Sequence, residues 1–321
     1  ISMLIIQKWE HIRQALALFQ SVQEELIFLL FVMRYFNKIV FYSSLFFTAC
    51  FPKEDTITPK PRVFQTVKID AGKTKNKVVF YSLDESKIVA EASPMDWDLY
   101  LDESVIRINY FRSLRVAVTL LDWNQISDTS GLRFSYLTKQ EDTLTQWELK
   151  ENKKYILDLG LDLEYQPMGF VAVQVRRIGD SFEIIQKFLN DTAKKKSTVS
   201  EACYYNLRTN QSLDFPMEYQ YDVAFGKYTD YVTVDDISQD YLIYGAILGQ
   251  AKAYALNTAF EPLSRDDFDT KELKSSKDVI GWDWKKFNLT KNAYEIIPNN
   301  TYMIATNAQF LCKLRFVNFL N

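Results

Sequence analysis

Three side chains stand where their chemistry could be used: Cys50, Met95 and Met217. Cys50 follows an apolar run that ends in the small residues Thr48-Ala49, a setting in which a thiol accepts an acyl chain. Met95 precedes Asp96 and Met217 precedes Tyr219 on matching loops of an internal repeat. Their thioethers are soft enough to serve as axial ligands to a haem iron. Methionine also fills gaps where loops cross a sheet, so packing competes with ligation at both positions.

Other chemistry is excluded by what the chain lacks. Its one histidine is His11, and if the N-terminal segment is removed no imidazole remains. That rules Ser-His-Asp and Cys-His mechanisms and histidine-bearing zinc sites out of the mature body. Apart from Cys50, the cysteines are Cys203 and Cys312. An oxidising compartment could bridge them, whereas Cys312 at an inward strand position also reads as a small apolar residue. Asp266-Asp267-Phe268-Asp269 lacks the spacing and glycine of a calcium loop and reads as a solvated turn. Asp98 and Asp222 read as acceptors for turn backbone. No metal site is expected. With 38 Lys and Arg against 41 Asp and Glu, and no basic block, nucleic acid is not an expected partner.

The N-terminal segment carries the residues of an export signal. Met33 is followed by Arg34 and Lys38, then by the apolar stretch Ile39 to Phe47. This is the layout of a signal peptide over 33–49, and Phe47-Thr48-Ala49-Cys50 resembles a bacterial lipobox. A membrane helix over Leu26 to Ala49 would carry Arg34 and Lys38 inside its span, where charge is costly. Residues 1–32 then read as an upstream extension with helical character. Residues 50–62, with Pro52, Pro59, Pro61 and Lys53-Glu54-Asp55, read as a tether.

Beyond the tether the chain repeats itself. Val79-Phe80-Tyr81-Ser82-Leu83 and Asp96-Trp97-Asp98-Leu99 align without a gap on Cys203-Tyr204-Tyr205-Asn206-Leu207 and Gln220-Tyr221-Asp222-Val223. The identities are Tyr81/Tyr205, Leu83/Leu207 and Asp98/Asp222. Trp147 with Tyr155-Ile156-Leu157 echoes Trp284 with Tyr294-Glu295-Ile296, and Phe170 to Val175 echoes Leu311 to Phe316. Alternating runs at Val105 to Asn109, Val171 to Val175 and Cys312 to Phe316 predict strands, with turns at Gly179-Asp180 and Asn307-Ala308. The expected fold is all-β: two tandem antiparallel sandwich-like units at 63–197 and 198–321, after the helical signal and extension segment. The run Ala193 to Thr198 reads as the solvated linker between them. Trp97, Trp147, Trp282 and Trp284 read as core anchors, the last two on one face of a strand. Met168 and Met303 read as core.

At these motifs the chain resembles the HmuY-like family of haem-binding surface lipoproteins. The resemblance is carried by Val67 to Ala71, Phe80-Tyr81, Asp96 to Leu99 and Ile106 to Asn109, and later by Gly281 to Phe287, Thr301 to Ile304 and Lys313 to Phe316. It implies an all-β body anchored to the bacterial outer membrane at the cell surface, and capture of haem or a related porphyrin, or of a protein carrying it. The family's paired His or Met ligands have no counterpart in 246–276, 283–291 or 124–155, so no ligand carries over. The family pattern also continues past the strand at Lys313 to Phe319, so the second unit reads as truncated. The reading is thus a lipid-anchored binding protein, not an enzyme. Its alternatives are a structural lipoprotein that binds a partner or glycan, and a hydrolase built on carboxylates alone.

Overall fold

The computed structural model describes residues 65–72, 76–138, 147–200, 202–234 and 236–319. Cys50, the extension 1–32, the signal segment 33–49 and the tether 50–62 lie outside them. The described chain is almost entirely β, as the alternation of apolar and polar residues requires. The first half holds β1 (Val78–Ser82), β2 (Lys87–Ala92), β3 (Leu99–Asp102), β4 (Val105–Ile108), β5 (Arg115–Val118), β6 (Lys154–Asp158), β7 (Phe170–Ile178), β8 (Ser181–Phe188) and β9 (Lys195–Ser200). The second holds β10 (Cys203–Asn206), β11 (Gln211–Leu213), β12 (Val223–Val234), β13 (Ile237–Leu248), β14 (Lys252–Asn257), β15 (Lys285–Asn288), β16 (Ala293–Ile296), β17 (Asn300–Ala305) and β18 (Leu311–Leu314). One short 3₁₀ turn, Thr270–Glu272, is capped by Asp269.

The halves exchange strands. β1 pairs with β12 and β3 pairs with β10, giving sheets ordered β13-β12-β1-β2 and β4-β3-β10-β11, each the repeat image of the other. The remaining sheets are β5-β6-β7-β8-β9, β14-β17-β18 and the hairpin β15-β16, and every pairing is antiparallel.

The repeat identities sit at the two crossings. The Asp98 N–H donates to the Tyr205 carbonyl at 2.9 Å, and the Asp222 N–H donates to that of Tyr81 at 3.0 Å. The Leu207 N–H then donates to Asp98 Oδ2 at 2.8 Å, and the Leu83 N–H to Asp222 Oδ2 at 2.7 Å. Each aspartate therefore ties the start of its own strand to the end of a strand from the other half. This is the backbone-binding role expected of both.

β1 is buried along its whole length. Side chains alternate between the faces of a strand. Phe80 enters one core with Trp97, Leu99, Tyr155, Val173, Tyr205 and Tyr221, while Val79 and Tyr81 enter a second with Val223, Ala253, Trp284 and Ile304. The second core is sealed by Phe316, which stacks on Trp284 with ring centroids 3.8 Å apart. Cys312, Leu314 and Phe316 pack inward as predicted, and Lys313 and Arg315 reach outward to the 260–263 loop. Cys203 and Cys312 are free thiols, and burial pushes each up to about 11.

Four expectations are corrected. Residues 193–198 are not a linker: Lys195–Ser200 is β9, the edge of its sheet, and Val199 is buried while the three lysines face solvent. Lysines on an edge strand oppose further pairing, so charge marks the edge here and not a flexible joint. The boundary set at 197/198 thus falls inside a strand, and residues of both halves share one main core. The echo of Tyr155-Ile156-Leu157 is Tyr302-Met303-Ile304, since Val116 pairs with Leu157 as Ala253 pairs with Ile304. Trp282 and Trp284 lie in a turn before β15, not on a strand face; the turn lets Trp284 Nε1 donate to the Gly281 carbonyl at 3.1 Å.

Candidate binding cleft

Two clefts occupy matching places in the two halves, one beside β5 and one beside β14. Each of these strands carries one further bridge to a crossing segment, Val116 to Ser135 and Ala253 to Lys274. Because β5 is short and at a sheet edge, its outer side is left to that segment, and a hollow remains between them.

The β5 cleft has a volume of about 420 Å³. Val116, Val118, Leu132 and Leu137 make its apolar wall, and Arg133, Lys150 and Lys153 bring three cations to it. Among the described residues no carboxylate lines it. The phenol of Tyr155 accepts a hydrogen bond from the Lys150 N–H at 2.8 Å, and burial raises it above the usual phenol range, so it stays neutral. An apolar wall with a few convergent charges of one sign suits a small amphipathic anion. The β14 cleft, about 430 Å³, is lined by Tyr254, Ala255, Leu256, Ser276 and Val279 with one acid, Glu272, and one base, Lys274. It has no net charge to select a ligand.

The most buried charges have a different role. Arg107 donates from Nη1 to both oxygens of Glu218 at 2.8 Å and from Nη2 to Glu148 at 3.1 Å. Lys277 donates to Glu218 at 2.5 Å and to the Gly249 carbonyl. Two cations face two carboxylates, so the group is neutral as a whole and joins β4 to the loop before β12. Asp98 forms a buried pair with Arg112, whose Nη2 also donates to the Leu159 carbonyl at 2.7 Å and to Met168 Sδ at 2.9 Å. These charges are paired with one another, and Glu218 and Asp98 each bind a group of the other half.

The sequence-predicted ligands lie elsewhere. Met95 is half-buried, with its N–H on Ser93 Oγ at 3.1 Å; Met217 is buried in the main core, with its N–H on Gln220 Oε1 at 2.8 Å. The loops do match, as the repeat predicts, but neither methionine lines either cleft. Met303 is buried, as expected, and Met168 is half-buried against the main core. Asp267 and Asp269 bind turn backbone at Ser264 and Lys271, and among the described residues no group of three or more ligating side chains could hold a metal. Arg133, Lys150 and Lys153 carried no sequence signal: they are scattered along the chain and converge only through the bridge to β5.

Comparisons with protein-family models, with curated proteins and with solved structures find no match. The HmuY-like resemblance rests on the residues that carry it.

Proposed function

We propose that this chain is a non-enzymatic binding protein of the HmuY-like type, displayed on the bacterial outer membrane by a lipid on Cys50. Its β5 cleft takes a small amphipathic anion, of which a porphyrin with its carboxylates is the type. The observation that supports this reading is a cleft with three cations, an apolar wall and, among the described residues, no carboxylate. Among its described residues the cleft offers an iron no histidine, methionine or cysteine, and its one phenol, Tyr155, is kept neutral by burial and already accepts the Lys150 N–H, so the lining is poorly suited to axial ligation of haem. Recognition there runs through the carboxylates and the flat apolar face of the macrocycle. A second reading, binding of a protein partner, is favoured by the β12–β13 hairpin, which carries Ile237, Tyr241 and Leu242 exposed near its tip.

Titration of the full chain with protoporphyrin and with haem, followed by tryptophan quenching and visible absorption, tests the first reading. Saturable binding of both is expected, with affinity lowered about tenfold by Arg133→Glu with Lys153→Glu, since partly exposed charge contacts contribute up to about 1 kcal/mol each. Haem binding with a Soret shift that ignores these changes would place the site at Met95 or Met217 instead.

A further inference from the structure

Immediately after β5 the chain turns outward and presents Leu120 and Leu121, 95% and 46% exposed, beside Val118 at 52%. This turn is held in place. The Thr119 N–H donates to the Lys154 carbonyl at 3.1 Å, the Leu121 N–H to Thr119 Oγ1 at 3.2 Å, and the Gln125 N–H to the Asp122 carbonyl at 2.8 Å. Ile126, fully buried, anchors its far end. An apolar pair fixed in this exposed position serves no core.

What surrounds it is basic and aromatic. Trp123 follows the pair, half-buried, with the ammonium groups of Lys154 and Lys194 at 5.8 and 5.9 Å from its ring. Lys154 also donates to the Leu121 carbonyl, and Lys187 to the Ile126 carbonyl at 2.9 Å. Lys196, ion-paired with Glu183, and Lys195, on the opposite face of the strand, both stand exposed along the edge of β9. The opposing charge at the tip is Asp122, which lies 4.0 Å from Lys154.

Leucines that project past a tryptophan, ringed by lysines with apolar stems, match the layers of a bilayer surface: acyl chains, interface and anionic headgroups. We infer that the Leu120–Leu121 turn with its lysine collar docks on an anionic lipid surface. This contact goes beyond the Cys50 anchor and stands without it. A protein partner would also cover two leucines, but it would not call for lysines around them.

The test places a polarity-sensitive dye on Leu120→Cys in the full chain with Cys50→Ala, so that no acyl anchor contributes. Cys203 is buried, and Cys312, only half-buried, is replaced by alanine so that the dye reports from position 120 alone. A dye on Tyr165→Cys, an exposed position in the loop beyond the other end of β6, is the reference. With vesicles of phosphatidylcholine and phosphatidylglycerol, the dye at 120 should shift to the blue and be quenched by brominated acyl chains, while that at 165 stays aqueous. Lys194→Glu with Lys195→Glu should weaken vesicle association about tenfold, as two juxtamembrane charges do. A dye at 120 as aqueous as that at 165, or no vesicle association, would overturn the inference and leave the turn to a protein partner. Failure of acyl labelling at Cys50 would overturn the anchor alone.

Discussion

Asp98 and Asp222 are repeat equivalents with unequal burdens. Both are buried, both accept a backbone N–H from the other half, and burial raises both carboxyls above their usual range. Asp98 alone faces a buried arginine. Asp98→Ala strands Arg112 without its counter-charge and should cost about 3–5 kcal/mol. Asp222→Ala strands the Leu83 and Asn307 N–H groups and should cost about 1–3 kcal/mol. Urea unfolding of the two variants measures the difference. Adding Arg112→Met to Asp98→Ala should recover part of the loss, and equal losses in both single variants would contradict the assignment. The role of these aspartates was legible in the sequence because their spacing repeats. The cleft was not, because nothing in the spacing of Arg133, Lys150 and Lys153 shows that the Val116–Ser135 bridge brings them together.

At the level of elements, the strands with clear alternation were readable and their partners were not. β4, β7 and the turns at Gly179-Asp180 and Asn307-Ala308 fall where the pattern puts them. Local alternation says which face a residue takes, but exchange between halves depends on pairings far apart in sequence. β9 was missed because three successive lysines hide the inward Val199. Close backbone approach is also invisible to alternation. Gly249 ends β13 where an added Cβ would meet the carbonyls of Tyr221 and Glu218, the latter at 2.5 Å. Its N–H donates to the Asp222 carbonyl at 2.9 Å, as that of Asn109 does to Asp98 at 2.8 Å. Gly249→Ala should therefore separate β13 from the crossing and cost about 1–3 kcal/mol by overpacking. A melting temperature unchanged from the parent would show that the crossing has more room than this geometry allows.

Across the whole molecule, tyrosines bind the shared interior. Tyr110, Tyr204, Tyr221 and Tyr228 are buried, and loss of hydration raises each phenol above its ordinary value. The folded chain therefore holds these protons more tightly than the unfolded chain. Stability on this account is whole below the ordinary phenol value of about 10 and falls as pH rises through it. Phenolate absorbance from the buried set should appear together with loss of the β-sheet dichroism. Smooth titration of all 19 tyrosines with the fold intact would contradict it.

The two repeats form one interleaved body, with β1 completed by β12 and β3 by β10. The most direct measurement is circular dichroism and size-exclusion chromatography of residues 65–197 and 198–321, each alone and then refolded together. Neither half should fold alone, and the mixture should recover one heterodimer with the dichroism of the intact chain. Two separately folded monomers that ignore each other would contradict it.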